Sequence, residues 1–202
     1  LDSIKTNEDI SLKSLTLKFV ALLALLSGQR IQTLLALKVE YCVIENESAV
    51  FYIDKLLKTS RPGRHLTPIS LKRFAQNDNL CIVKHLELYL RRTKPLRQHD
   101  TCDNKLFISF MKPHRPVGAD TISRWIKLIM SAAGIDVTSF KAHSTRAAST
   151  SAGHSIGVPV DKILESGGWQ NTRTFGKFYN KPIVAQQSLG DELLASFHAN
   201  KQ

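Results

Sequence analysis

The stretch that decides the fold runs from residue 142 to residue 181 and reads AHSTRAASTSAGHSIGVPVDKILESGGWQNTRTFGKFYNK. Small residues dominate Ser144 to Ala152, and they permit a helix to approach another backbone or a ligand closely. DKILES predicts a short helix with Pro159 in its first turn. GGWQ then predicts a turn that leads into another short helix. The stretch therefore predicts three short helical elements in succession.

This stretch also carries four candidates for chemistry. His143 and Arg146 are three residues apart, so one helix face can direct both at one anionic oxygen centre, although a solvated or core-satisfied pair has the same spacing. Trp169 follows two glycines, and its indole N–H can donate one hydrogen bond to a ligand. A structural role as a core tryptophan is the alternative. Tyr179 lies among positively charged neighbours that would favour the phenolate, whereas the other tyrosines fit strands or a helix core.

Towards the N-terminus, the sequence predicts two helices with a charged residue at their junction. Dense apolar residues from Ile10 to Ser27 predict a helix buried on most sides, Gly28 ends it, and a second apolar run covers residues 31–37. Arg30 stands between the two. An arginine suits bidentate phosphate recognition there, and a capping or salt-bridged arginine is the alternative.

Between the helices, the sequence predicts a small sheet. YCVIE and AVFYID read as a hairpin around a turn at residues 46–48, and RHLTPI, residues 64–69, reads as a third strand. Lys58 lies near the turn of LLKTSRPG, where it is either a mobile general acid or a solubilising edge lysine. The fold class is therefore mainly α with a small three-stranded antiparallel sheet, an α+β arrangement.

Two amphipathic helices complete the pattern. Leu80 to Arg92 has one apolar and one basic face, and Asn77 to Asn79 offer caps ahead of it. The second helix is centred on Trp125, with apolar residues at helical spacing. On its opposite face Arg124 and Lys127 are candidates for contacts to DNA grooves or backbone, and a solvated face is the alternative.

Composition narrows the class of partner. The 202 residues, of 22.6 kDa, fit one domain, and 28 Lys and Arg against 17 Asp and Glu give a net charge of +11. This charge favours a polyanion, nucleic acid first. No apolar run is long enough for a membrane span, and three scattered cysteines favour a reducing, intracellular compartment. Metal-site, Walker and GxSxG patterns are absent from the sequence.

Taken in order, these motifs resemble the active-site signature of the tyrosine recombinases, the family of Cre and phage lambda integrase. The set that carries the resemblance is Gly28-Gln29-Arg30, Lys58, His143-Ser144-Thr145-Arg146, Gly168-Trp169 and Tyr179. KTSRPG, HSTRAA and TFGKFY are most similar to recombinases of eukaryotic mobile elements, the Crypton and DIRS-like groups. The resemblance implies the catalytic-domain fold of that family.

The resemblance also implies roles. Arg30 and Arg146 would bind the scissile phosphate, His143 would assist proton transfer, and Lys58 would protonate the departing 5′ hydroxyl. Trp169 would donate to a phosphate oxygen, and Tyr179 would attack phosphorus and form a 3′-phosphotyrosine. No metal, ATP or other cofactor would be needed. The partner would be double-stranded DNA.

The implied organisation is a catalytic domain over residues 1–187, a tail helix over residues 188–202, and no N-terminal core-binding domain in this chain. The tail helix would join copies into a tetramer on DNA. In a eukaryote the protein would act in the nucleus, and no membrane would be involved. Trp169 and Tyr179 are ten residues apart, about one more than in well-known relatives. An inactive, domesticated DNA-binding module and a type IB topoisomerase-like activity are therefore kept as alternatives.

Overall fold

A long central helix organises the fold. In a computed structural model, which describes residues 8–54, 67–97, 104–169 and 172–179, helix α1 spans Leu12–Ser27. Ser11 precedes it and its hydroxyl accepts a hydrogen bond from the backbone N–H of Ser14 (3.0 Å). Gly28 ends it in the left-handed region at φ 59°. The helix predicted from Ile10 to Ser27 is confirmed.

Helix α1 packs against three other helices, α3 (Ile82–Thr93), α4 (Ala119–Ala132) and α5 (Ser144–Ser155). Among these four helices, the apolar side chains of the main core come from α1, α3 and α4, and not from α5. Phe19 of α1 packs against Tyr89 and Phe107, with ring centroids 5.1 and 5.5 Å away. The Tyr89 hydroxyl accepts a hydrogen bond from the backbone N–H of Ile108 (3.2 Å), so the polar group of this buried tyrosine has a hydrogen-bond partner. α1 is buried on most sides, as its sequence predicts.

A three-stranded antiparallel sheet packs beside these helices. It follows α2 (Ile31–Ala36) and a 3-10 turn, and its strands are β1 (Cys42–Ile44), β2 (Ser48–Phe51) and β3 (Ile69–Lys72) in that spatial order. Ala49, Phe51 and Ile69 point into the core. The predicted fold class is confirmed.

The predicted position of the third strand is wrong. The sequence favoured residues 64–69, whereas β3 begins at Ile69 and runs on to Lys72. Pro68 has no N–H to donate to a neighbouring strand, so pairing starts after it. Thr67 and Pro68 stand before the strand, and residues 64–66 lie outside the described residues.

Two short helices end the described chain and pack on a small cluster of their own. They are α6 (Val160–Gly167) and α7 (Thr172–Phe178), and Pro159 precedes α6 instead of lying in its first turn. Ile163, Trp169 and Phe175 are buried together there, apart from the main core. The predicted tail helix, residues 188–202, lies outside the described residues. Within the described ranges, no helix has the length and apolar character needed to cross a membrane.

Candidate active site

The C-terminal end of α1 is attached to α5 and α6 through its carbonyl groups. The Ser149 hydroxyl donates to the carbonyl of Leu25, and the Ser166 hydroxyl donates to that of Ser27 (3.0 Å). The last carbonyls of a helix lack partners within the helix, so side chains from neighbouring elements can satisfy them. These bonds bring α5 and α6 next to the segment that carries Arg30.

Gly28 allows α5 to approach the end of α1. A Cβ atom placed on Gly28 would lie 3.3 Å from Cγ2 of Thr150, and its φ of +59° already disfavours other residues. The close approach that the small residues of α5 predict is confirmed here.

Arg146 connects the three elements from the interior. Its side chain is fully buried, and it donates from Nη1 to the Gly28 carbonyl (2.7 Å) and from Nη2 to the Gly167 carbonyl (2.5 Å). Its guanidinium carbon lies 3.7 Å from the centroid of the Trp169 ring, a stacked cation–π arrangement. Four of the five guanidinium N–H groups belong to the two Nη atoms that bind these carbonyls. The remaining donor, Nε, is available to another acceptor.

Arg30 and Arg146 lie close enough for their charges to interact. Burial and, to a smaller extent, the positive charge of Arg30 lower the pKa of the Arg146 guanidinium from 12.5 to about 10. Arg146 thus stays protonated at neutral pH. Arg30 is half-buried and immediately precedes α2. Its carbonyl accepts hydrogen bonds from the N–H groups of Thr33 (2.9 Å) and Leu34 (3.1 Å), and its side chain makes no capping hydrogen bond. Two guanidinium charges at interacting distance can attract an anion.

Two glycines make room for Trp169. Gly168 closes α6 with φ +62°, and a Cβ atom on Gly167 would come within 1.8 Å of the indole ring. The indole is 7% exposed and packs with Ile163 and Phe175, so Trp169 is a core residue of the small cluster. It also covers the guanidinium of Arg146. The interpretation of Trp169 as a core residue is confirmed, and its donation of a hydrogen bond to a phosphate oxygen stays a prediction.

His143 and Tyr179 are in hydrogen-bond contact. His143 Nε2 and the Tyr179 hydroxyl oxygen are 3.1 Å apart. His143 as a residue is exposed, yet partial burial of its ring lowers its pKa below 6.5, and the charges of Arg146 and Arg30 lower it further. The imidazole is therefore neutral at pH 7. In the tautomer with an unprotonated Nε2 it can accept the phenol proton.

Tyr179 is held from several sides. Its backbone N–H donates to the Phe175 carbonyl (2.8 Å), its own carbonyl accepts a hydrogen bond from the Ser151 hydroxyl, and its ring lies 4.6 Å from that of Trp169. The Arg146 guanidinium lies 5.2 Å from the ring centroid of Tyr179. The ten-residue spacing from Trp169 to Tyr179 thus still brings the two rings into contact.

The structure brings five of the eight candidate residues together, namely Arg30, His143, Arg146, Trp169 and Tyr179. Lys58 lies outside the described residues. Arg124 is exposed and Lys127 half-buried on the outer side of α4, as their positions in the helical pattern predict. Within the described ranges, no group of three or more His, Cys, Asp or Glu side chains is arranged to hold a metal ion.

Several positions that shape the site were not singled out as candidates from the sequence. They include the three serines that donate to carbonyls, Gly167, and Gln29, whose side-chain amide donates to the Ser166 carbonyl (2.5 Å). The abundance of small residues in α5 is a signal of close packing. It does not reveal which backbone carbonyl each hydroxyl reaches, because those carbonyls come from distant parts of the chain.

Two buried donors give the site its chemical character. Arg146 Nε and Trp169 Nε1 are buried without a hydrogen-bond partner in the described part of the chain. Leaving such a donor unsatisfied costs about 1–3 kcal/mol, and an acceptor that enters would remove this cost. An anionic oxygen centre fits these donors and the two guanidinium charges. Beside it, the His143–Tyr179 pair offers a nucleophile and a proton acceptor.

Comparison with known proteins identifies the family and the fold. A family model described as "Phage integrase family" matches residues 1–184. No curated protein matches the sequence. Among solved structures, XerA recombinase is 17% identical with a TM-score of 0.60, and the match covers 98% of this chain and 62% of that one.

Two structures in complex with DNA are also similar in fold. XerH site-specific recombinase bound to palindromic difH substrate, in a post-cleavage complex, is 15% identical with a TM-score of 0.64, covering 99% of this chain and 48% of that one. A lambda integrase dimer bound to a COC′ core site is 15% identical with a TM-score of 0.51, covering 88% and 49%. The chain thus spans roughly half to three-fifths of the length of these proteins.

Proposed function

The chain belongs to the phage integrase family and has the fold of its tyrosine recombinases, and on this premise we propose that it cleaves and rejoins DNA strands through a 3′-phosphotyrosine intermediate. The observation that carries the proposal is the 3.1 Å contact between the Tyr179 hydroxyl and His143, directly beside the buried Arg146. A nucleophile with an adjacent base is what an attack on a phosphodiester requires.

We assign each step of this reaction to one of the candidate residues. The Tyr179 oxygen attacks phosphorus, and its proton passes to Nε2 of His143. The bond from phosphorus to the 5′ oxygen breaks, and we assign the proton for that leaving group to Lys58. The phosphodiester is thereby kept as a tyrosyl ester, so a 5′ hydroxyl can reverse the step without ATP.

The remaining candidates stabilise charge. In the transition state, phosphorus is bonded in part to both the entering and the leaving oxygen, and negative charge increases on its non-bridging oxygens. Arg30, Arg146 and the Trp169 N–H are donors for these oxygens, and the loss of one such donor costs about 10²- to 10³-fold in rate. The two unsatisfied buried donors, Arg146 Nε and Trp169 Nε1, support this assignment.

The partner that we propose is duplex DNA, in keeping with the net charge of +11. Arg124 and Lys127 are assigned to groove or backbone contacts, and each phosphate contact would contribute about 0.9 to the logarithmic salt slope of binding. We further propose that residues 1–187 act as the catalytic domain and residues 188–202 join neighbouring copies into a tetramer on DNA. In a eukaryotic host the protein would act in the nucleus.

Covalent trapping tests the proposal. The chain is incubated with a library of nicked duplexes that carry a randomised core and a 5′-bridging phosphorothiolate, at concentrations where a gel shift shows the DNA fully bound. After denaturation, the wild-type chain should give a DNA-shifted band and Tyr179→Phe should give none. Tyr52→Phe, which removes a hydroxyl from a 48% exposed residue directly after β2, is the matched control and should trap like wild type.

The outcomes separate the alternatives. Trapping that survives in Tyr179→Phe contradicts the choice of nucleophile. Bound DNA without any covalent band contradicts strand cleavage and favours an inactive DNA-binding module. Relaxation of arbitrary supercoiled plasmid, without preference among the library sequences, favours the topoisomerase-like activity.

A further inference from the structure

Ser151 reaches from α5 to the backbone of the residue that carries the candidate nucleophile. Its side chain is 3% exposed, and its hydroxyl donates to the carbonyl of Tyr179. Thr150 and Thr145 instead donate to carbonyls one turn earlier, those of Arg146 (2.8 Å) and Ala142 (2.8 Å). Ser149 joins α5 to the end of α1, whereas Ser151 joins α5 to the residue that follows α7, 28 positions along the chain.

This bond and the His143 contact hold Tyr179 at two points from one helix. His143 immediately precedes α5 and contacts the phenol oxygen, whereas Ser151 lies eight residues further along α5 and binds the backbone. Eight residues of a helix span about 12 Å. Two attachments so far apart on one rigid element fix the direction of the side chain as well as its position.

Helix α7 needs such an attachment because it is short. It has seven residues, too few to be stable by itself, and among its described side chains Phe175 is the buried one, in contact with Trp169. Phe175 lies one turn before Tyr179, so it does not by itself determine where the last turn of the helix lies. The Tyr179 carbonyl is at that last turn, where helix carbonyls lack partners of their own.

We propose that Ser151 is a positioning residue for the strand-transfer reaction, holding Tyr179 in line with the scissile phosphate by binding its carbonyl. This inference rests on the proposed function. Ser151 touches neither DNA nor the reacting atoms in this assignment. Its effect arises because a misplacement of about 1 Å at the reacting centre can cost on the order of 100-fold in rate.

The proposal predicts an asymmetric kinetic effect. In Ser151→Ala, the free tyrosine must be ordered before it can attack, so cleavage of pre-bound suicide DNA should slow by about 10- to 100-fold. In the reverse step the phosphorus bond already holds Tyr179, so religation by a supplied 5′-hydroxyl strand should change by less than about threefold. Damage to the whole site would slow both steps together. Ser151→Thr keeps the donor and should recover at least part of the cleavage rate.

Ser155→Ala is the matched control on the same helix. Its hydroxyl donates to the Ala152 carbonyl (2.9 Å) within α5, so its removal breaks a hydrogen bond but not the link to α7. This variant should cleave and religate like wild type. Equal slowing in Ser155→Ala and Ser151→Ala, or equal loss of cleavage and religation in Ser151→Ala, would overturn the proposal.

A second readout is independent of catalysis. With 3-fluorotyrosine incorporated, the ¹⁹F resonances of the four tyrosines are assigned by single Tyr→Phe variants. Ser151→Ala should shift the Tyr179 resonance towards its position in the unfolded chain and leave Tyr89, in the main core, unchanged. An unmoved Tyr179 resonance overturns the proposal even if cleavage occurs. A moved resonance in a chain that never cleaves DNA would contradict the proposed function and leave the Ser151 contact established.

Discussion

The main core and the α5–α7 region are held together by different kinds of interaction. In the main core, α1, α3, α4 and the sheet bury a large continuous set of apolar side chains around Phe19. In the α5–α7 region, residues 143–179, the buried apolar cluster is small, and side chains of Arg146, Ser149 and Ser166 donate to backbone carbonyls elsewhere. The free energy gained by burying apolar side chains does not depend on their orientation, whereas the strength of a hydrogen bond depends strongly on the orientation of donor and acceptor. Substitutions should therefore change stability in the first region and geometry in the second.

The largest effect is expected from Phe19→Ala, which removes the centre of the aromatic group in the main core. It should lower the free energy of unfolding by about 3–5 kcal/mol, because the cavity would be enclosed by fully buried neighbours. Urea unfolding measures this loss. Covalent trapping per folded molecule should stay within about threefold of wild type, since the α5–α7 region is not part of the cavity.

Phe140→Ala is the control for that prediction, because the side chain is 53% exposed. It should change the free energy of unfolding by less than about 0.5 kcal/mol. Similar losses in the two variants would mean that burial around Phe19 does not carry the stability of the main core.

Acidification should weaken the main core through His85. Burial, and to a smaller extent the charges of Lys18 and Lys84, lower the pKa of this α3 residue from 6.5 to about 4. As the pH falls below 6.5, His85 becomes protonated in the unfolded chain, whereas in the folded chain it stays neutral until about pH 4. The free energy of unfolding therefore decreases as the pH falls from 6.5 to about 4. The shift corresponds to about 3 kcal/mol.

Urea unfolding between pH 7 and pH 4 measures this dependence in wild type and in His85→Gln. The variant should lose less stability than wild type on acidification, whatever its stability at pH 7. An identical decline in both proteins would place the acid sensitivity elsewhere in the chain.

A smaller effect on stability, with a large effect on the site, is expected from Gly167→Ala. The added methyl would collide with the Trp169 ring, so the indole must leave its place over Arg146. We expect a loss of about 1–3 kcal/mol in the free energy of unfolding and a fall in trapping of about 100-fold or more.

Gly176→Ala in α7 is the control, because in the described part of the chain no atom beyond its own helix backbone and chain neighbours lies within 4 Å of the position of its Cβ. Alanine favours a helix over glycine, so this variant should be neutral or slightly stabilised. If Gly167→Ala trapped DNA as wild type does, the placement of Trp169 over the guanidinium would be irrelevant to the reaction.

The sequence predicts the elements of the main core well, since their signals are local. The apolar density of α1 and the helical spacing of Ile122, Trp125 and Ile126 in α4 depend only on near neighbours, and both helices are confirmed. β3 was misplaced because strand pairing is a contact with a distant segment. Leu71 pairs with Ala49, and although Pro68 indicates that pairing starts after it, the local pattern does not show which residues pair or where the strand ends.

By itself the sequence determined the helices, the fold class, the basic charge and, through the order of its motifs, the family and the candidate residues. Tertiary structure alone decided how those residues meet. The Arg146 guanidinium binds carbonyls 118 and 21 residues away, and the Tyr179 hydroxyl lies against His143, 36 residues earlier. Residue types record which groups can donate or accept, but the partner of each donor depends on the path of the whole backbone. That path is set by the packing of α1 against its neighbours.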